Sequence, residues 1–79
     1  MRVQVLVRLK PGVLDVQGKA IEHGVQGLGY KDVSHVRMGR LIELDVDADS
    51  LDKAKPKVEE ICAKLLSNPI IENYEIKAA

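Results

Sequence analysis

The sequence predicts a small α+β domain whose elements follow the order strand, helix, strand, strand, helix, strand. Three observations support this class. Apolar and polar residues alternate over residues 2–9, as in a half-buried β-strand. Two later segments, 16–28 and 51–66, repeat apolar residues at the three- and four-residue spacing of an amphipathic helix. A length of 79 residues allows one domain, and no Pro-, Gly- or Ser-rich linker divides it.

The first strand is predicted over residues 2–9, because Val3, Val5 and Val7 alternate with polar side chains. Lys10-Pro11-Gly12 then ends it, since proline has no N–H to donate and glycine accepts a positive φ.

A helix is predicted over residues 16–28. Asp15 can cap its first turn by accepting hydrogen bonds from free N–H groups, and Gly29 is suited to end it. The apolar stripe that we expect to face the core consists of Ile21, Val25 and Leu28. The same helix contains three glycines, which either weaken it or allow another chain to pack closely against its backbone: Gly18, Gly24 and Gly27.

Residues 33–47 have the strongest β-pattern of the chain, interrupted by Gly39. A hairpin with a three-residue loop at 39–41 pairs Met38 with Ile42 and keeps the apolar residues on one face. A single long bent strand preserves the same alternation. We favour the hairpin.

The second helix is predicted from a cap at Asp49 or Ser50 to about Leu66. Pro56 lies within it and is expected to kink the helix or delay its start, because proline has no N–H to donate to the Asp52 carbonyl. The apolar stripe of this helix consists of Leu51, Ala54, Val58, Ile61, Cys62 and Leu65.

Asn68-Pro69 ends the second helix, and residues 70–77 alternate weakly as a last strand. With right-handed crossovers, these elements predict a ferredoxin-like βαββαβ fold, a four-stranded antiparallel sheet with both helices on one face.

Composition and charge exclude several classes of function. Twelve lysines and arginines balance twelve aspartates and glutamates, so the chain lacks the basic face that binds nucleic acid or an acidic membrane. Only two aromatic residues, both tyrosines, are present, too few for a base-stacking platform. With no signal peptide and no apolar run of transmembrane length, we expect a soluble cytoplasmic protein.

The residues that could carry catalysis do not form a recognisable set. Cys62, the single cysteine, lies on an apolar stripe and is predicted to be a buried structural thiol. His23 and His35 are expected at the surface, and joining them to Cys62 as a metal site would be arbitrary. No phosphate-binding glycine motif is present. We therefore predict no catalytic, cofactor-binding or metal site.

The loop from Lys10 to Asp15 is the one segment with a possible binding role of its own. A helix N-terminus can hold an anion, and Lys10 could assist it. A plain connection from strand to helix explains the same residues.

These segments resemble the PurS family, the small subunit of phosphoribosylformylglycinamidine synthase, in register over nearly all of the chain. The matching segments are Leu9-Lys10-Pro11-Gly12-Val13-Leu14-Asp15, Gln17-Gly18-Lys19-Ala20, Leu28-Gly29-Tyr30, Val33-Ser34-His35-Val36-Arg37-Met38-Gly39-Arg40, Ile42-Glu43-Leu44, Leu65-Leu66, Asn68-Pro69 and Ile71-Glu72-Asn73-Tyr74-Glu75. The chain departs from the family pattern at Val16, where proline is usual, at Arg40, where lysine is frequent, and at Pro56.

The resemblance implies that residues 1–79 form a single PurS-like domain, a non-catalytic subunit in purine biosynthesis. The complex converts formylglycinamide ribonucleotide to formylglycinamidine ribonucleotide with ATP, Mg²⁺ and glutamine. One partner subunit is a glutaminase and another is a large synthetase, which binds the ATP and Mg²⁺. The small subunit is itself a homodimer or homotetramer, bridges the other two and supports ammonia transfer. No cofactor is expected on this chain.

Some polar and glycine positions match the family pattern although the hydrophobic core does not need them, and these are the candidate interface residues. They are Lys10, Pro11, Gly12, Asp15, Gly18, Gly39, Arg40 and Glu43. Arg40 and Glu43 can make charged contacts across an interface or pair within one chain.

Other classes share this topology. The chain also resembles an ACT domain, a regulatory module that binds amino acids, although Leu9 replaces the expected aspartate. An acylphosphatase-like enzyme would need a catalytic Arg and Asn after the first strand, and Lys10-Pro11-Gly12 supplies neither.

Overall fold

A computed structural model describes all residues from 1 to 79. The elements in chain order are β1 (Arg2–Leu9), α1 (Val16–Gly27), β2 (Gly39–Asp45), α2 (Leu51–Ile61), a π-helical turn (Cys62–Leu66) that continues α2, and β3 (Glu72–Ala78). None of these helices has the length and apolar character that crossing a bilayer requires.

The sheet has three antiparallel strands in the order β2-β1-β3, not the four that the sequence predicted. The predicted hairpin is wrong because its loop residues, 39–41, are the first residues of β2 and pair with Arg8, Val7 and Leu6 of β1. The single-strand alternative is nearer to the structure, but the preceding residues, 33–38, lie outside the sheet. The predicted alternation is confirmed, since Val5 lies opposite Ile42 and both face the core.

The core lies between β1 and α2. Val3, Val5 and Val7 are fully buried and pack with the apolar side of α2, which consists of Ala54, Val58 and Cys62. These three belong to the stripe predicted for α2, whereas the prediction is wrong for Leu65, which is exposed. The helix packs nearer β3 than β2, so Ile42 and Leu44 of β2 remain half-buried.

Helix α1 begins and ends as predicted, with Asp15 as its N-cap and Gly29 at positive φ just after it. It does not pack on the sheet, however, and the prediction of two helices on one face is wrong for the single chain. Two residues of its apolar stripe are exposed, Ile21 by 42% and Leu28 by 77%. Residues 16–38 therefore project from the sheet as an arm, and the molecule measures 48 × 25 × 14 Å.

Helix α2 is capped by Ser50, whose hydroxyl accepts a hydrogen bond from the N–H of Lys53. It runs unbroken across Pro56. Its last turn is π-helical, and the N–H of Ser67 bonds to the Cys62 carbonyl. This wider turn carries one extra residue, so Leu66 packs against the core while Leu65 is turned outward.

Candidate subunit interface at the base of the arm

Asp15 anchors the arm to the start of β2. Its buried carboxylate accepts a hydrogen bond from the Gly18 N–H at 2.8 Å and another from the Met38 N–H at 2.6 Å. These two backbone hydrogen bonds are the main reason that the pKa of Asp15 lies below its usual value. The carboxylate also occupies the first turn of α1, which argues against an anion site there.

Glu22 repeats this arrangement seven residues further along α1. Its carboxylate accepts a hydrogen bond from the Val36 N–H at 3.1 Å, which lowers the pKa of Glu22. The two carboxylates thus bind alternate N–H groups of the segment that runs beside α1. Sequence reasoning did not select Glu22, although a spacing of seven residues places it on the Asp15 face of the helix.

Gly18 and Gly39 occupy positions where a side chain would not fit. A Cβ at Gly18 would collide with the Val36 carbonyl and the Asp15 carboxylate. A Cβ at Gly39 would lie 2.7 Å from the Val7 carbonyl oxygen. Both glycines therefore allow backbones of one chain to approach closely.

The loop Lys10-Pro11-Gly12 joins the sheet to the arm. The Lys10 N–H donates to the Ile71 carbonyl at 2.8 Å, which ties this loop to the chain just before β3. Gly12 has a φ of +87°, a conformation that glycine adopts without strain. Pro11 and Gly12 are exposed and free to contact a partner.

Arg40 forms its contacts within the chain. Its Nη2 donates to the Leu66 carbonyl at 2.9 Å and to the Glu72 carboxylate at 3.0 Å. These bonds connect β2 to the end of α2 and to β3. An open pocket of about 230 Å³ lies beside this pair, with Asp15 and Gly39 also in its wall.

Glu43 lies apart from the other candidate residues. It faces Gln4 across the sheet, accepts a hydrogen bond from its side chain at 3.3 Å and lies 3.9 Å from Arg2. The structure therefore gathers seven of the eight candidates around the base of the arm and leaves this one near the far end of β2.

Cys62 is buried on the core side of α2. Burial raises the pKa of its thiol, and the nearby Glu59 carboxylate raises it further. A protonated thiol enclosed by valines has no access to a substrate, which agrees with the structural role predicted for it.

The family model PurS, described as phosphoribosylformylglycinamidine (FGAM) synthase, matches residues 2–79. The PurS subunit of phosphoribosylformylglycinamidine synthase from Bacillus subtilis is 41% identical over 92% of this chain and 86% of that protein.

Solved structures show the same fold. PurS from Methanocaldococcus jannaschii, a subunit of formylglycinamide ribonucleotide amidotransferase, is 38% identical, with a TM-score of 0.85 over 96% of this chain and 92% of the other. A chain of PurLQS from Thermotoga maritima is 32% identical, with a TM-score of 0.85 over 96% and 93% of the two chains. These structures share the arrangement of two helices and a three-stranded antiparallel sheet.

Proposed function

The chain belongs to the PurS family of phosphoribosylformylglycinamidine synthase subunits, and on this basis we propose that it bridges the glutaminase and the synthetase of that complex. Its place is in purine biosynthesis. The alternative of an amino-acid-binding regulatory module is not favoured by any of these matches.

The main observation behind the bridging role is the likeness to a chain of PurLQS, which extends over nearly all of both chains. A subunit of 79 residues with its one thiol buried supplies contacts rather than chemistry. ATP and Mg²⁺ are used by the complex and are held by its large subunit. Ammonia released by the glutaminase then passes to the synthetase along a path that the bridging subunit helps to organise.

The shape of the chain supports a homo-oligomer within the complex. A compact chain of this mass would expose about 4,700 Å², whereas this one exposes 5651 Å². The excess of about 900 Å² is close to the ~800 Å² that each partner buries in an interface of standard size. The radius of gyration, 15.7 Å, likewise exceeds the value of about 12 Å expected for a compact domain of this length.

The arm and the sheet are suited to pair with a second copy. The sheet lacks the helix and the strand that the sequence pattern predicts on its β2 side, and Ile42 and Leu44 remain half-buried there. The arm of another copy supplies a helix with an exposed apolar stripe and an extended segment, residues 33–38. We propose that two copies exchange arms and complete each other's sheets.

The candidate interface residues then have different roles. Lys10, Pro11 and Gly12 contact partner subunits directly from an exposed loop. The buried or paired residues act indirectly, because they fix the direction in which the arm leaves the sheet: Asp15, Gly18, Gly39 and Arg40. Glu43 contributes from the face opposite α2.

A reconstitution experiment tests the bridging role. The chain is mixed with its cognate glutaminase and synthetase, ATP, Mg²⁺ and formylglycinamide ribonucleotide, and product formation is compared with glutamine and with free ammonia. We expect omission of the chain to abolish the glutamine-driven rate and to spare the ammonia-driven rate. A glutamine-driven rate that is independent of the chain would refute the proposal.

A further inference from the structure

An open groove of about 420 Å³ lies where the arm leaves the sheet, next to the Lys10-Pro11-Gly12 loop. It is lined by Arg8, Leu9, Pro11, Arg37 and Met38. Its walls thus combine two guanidinium groups with apolar side chains, and 38% of the Met38 surface is exposed there.

Arg37 is the one arginine of the chain without a carboxylate partner. The other three arginines form ion pairs, Arg2 with Asp45, Arg8 with Glu75 and Arg40 with Glu72. Arg37 instead donates one hydrogen bond, at 3.3 Å, to the neutral backbone carbonyl of Lys10. Most of its guanidinium donors therefore remain free.

No carboxylate forms an ion pair with Arg37, although its charge contributes to the lowered pKa of Asp15. The nearby Asp15 carboxylate is buried and accepts hydrogen bonds from two backbone N–H groups. Lys10 forms no ion pair either, although eight such pairs occur elsewhere on the chain. The entrance of the groove therefore carries two cationic side chains, Arg37 and Lys10, that form no ion pair, on a chain whose net charge is zero.

The chemistry of the groove defines its occupant. A guanidinium binds a carboxylate through two parallel hydrogen bonds. The apolar wall beside it requires an apolar side chain next to that carboxylate. We propose that the groove binds an acidic segment of a partner subunit, with a carboxylate on Arg37 and an apolar neighbour against Leu9 and Met38. This inference rests on the proposed function.

A protein carboxylate fits this groove better than a phosphate ligand does. Phosphate sites usually present several backbone N–H groups or a free helix N-terminus. Here the N-terminus of α1 is occupied by the carboxylate of Asp15. If a second copy occupied the groove instead, Arg37→Gln alone would lose self-association in sedimentation.

The test measures assembly of the chain with its purified cognate glutaminase and synthetase. Binding isotherms at low and high salt are compared for the wild type, Arg37→Gln, Met38→Gln and Lys55→Gln. Lys55 is an exposed residue of α2 without an ion pair, so its substitution removes the same charge away from the groove. Sedimentation of each variant alone shows whether folding and self-association are intact.

We expect Arg37→Gln to weaken assembly with one partner subunit about tenfold or more and to reduce the salt dependence of that step. Met38→Gln should weaken the same step without changing its salt dependence, and Lys55→Gln should match the wild type. Unchanged assembly of Arg37→Gln would overturn the groove proposal and leave the bridging role intact. Failure of the wild type to assemble would overturn both. Binding of inorganic phosphate that requires Arg37, with normal assembly, would identify a small-anion site instead.

Discussion

At the scale of single residues, Asp15 joins two segments that are distant in sequence. One carboxylate caps α1 and holds the backbone at Met38, just before β2 begins. Residues 15 and 38 are distant in sequence, so this side chain holds the start of α1 next to the residue that precedes β2. The sequence predicted the cap but not the second hydrogen bond.

The lowered pKa of Asp15 predicts a dependence of stability on pH. Because the folded state favours the ionised carboxylate, the stabilisation is complete above the pKa of the unfolded chain, 3.8, and is lost as the pH falls through the lower folded value. Asp15→Asn removes one acceptor and should lower the melting temperature at pH 7 by about 5 °C. The difference from the wild type should shrink near pH 3 in thermal melts followed by circular dichroism.

Asp47→Asn is the matched control, since Asp47 is exposed and forms no hydrogen bond or ion pair. Its melting temperature should follow the wild type at both pH values. An Asp15→Asn protein as stable as the control at pH 7 would contradict the anchoring role.

Two glycines of α1 should respond in opposite ways to the same substitution. Gly18→Ala places a methyl group against the Val36 carbonyl and the Asp15 carboxylate, and should cost about 2 kcal/mol of unfolding free energy. Gly24→Ala meets open space and should gain about 0.5–1 kcal/mol from helix propensity. Urea titrations measure both values, and equal effects would show that Gly18 is not sterically constrained.

At the scale of elements, the π-helical turn decides which leucine joins the core. The regular spacing of α2 predicts Leu65 on the apolar stripe, but the extra residue in the turn brings Leu66 to that position. Leu65 is 79% exposed. The two neighbouring leucines therefore differ in burial although they are identical in type.

Truncation of each leucine tests this assignment. Leu66→Ala should cost about 2 kcal/mol in chemical denaturation, at the low end for a buried leucine because the site is half-buried. Leu65→Ala should change stability by less than about 0.5 kcal/mol. The reverse order of the two costs would mean that the last turn of α2 is a regular α-helix.

The sequence correctly predicted the elements whose hydrophobic pattern reflects packing within one chain. The alternation of Val3, Val5 and Val7 identified β1, because one of its faces is packed against α2. The cap at Asp15 is predictable because it depends on local hydrogen bonds, and for α2 the same reasoning leaves Asp49 and Ser50, of which the structure has Ser50. Seven of the eight candidate interface residues also lie near one another at the base of the arm, and their contact with partner subunits stays a prediction.

The predicted fourth strand is absent from the single chain. The alternation of apolar residues over 33–38 indicates a strand, but it does not indicate whether that strand pairs within its own chain or with another copy. The alternation continues through Val36 and Met38 into β2, and a hairpin and a straight strand place them on the same face. The exchange of arms that we propose satisfies the same pattern between two molecules. The sequence analysis did not predict the π-helical turn, because the apolar spacing of α2 is that of a regular α-helix.

At the scale of the whole molecule, the arm makes little contact with its own sheet and leaves apolar surface exposed. The arm exchange that we propose buries this surface when copies pair, and it therefore couples folding to association. The melting temperature of the wild type should therefore rise with protein concentration.

A charge on the apolar stripe of α1 tests this coupling. Ile21→Lys should yield a monomer by analytical ultracentrifugation, with a melting temperature independent of concentration. His23→Lys places the same charge on an exposed residue beside the stripe and should retain the wild-type mass. A dimeric Ile21→Lys protein would argue against arm exchange.

The central position of β1 also has a consequence for synthesis on the ribosome. β1 leaves the exit tunnel before β3, with which it pairs, and α1, β2 and α2 are translated between them. The buried valines of β1, Val3, Val5 and Val7, therefore lack their neighbouring strand on one side until β3 has been translated. A nascent chain stalled before Glu72 exposes one edge of this apolar strand to chaperones. When translation resumes, β3 can pair with β1 and complete the sheet.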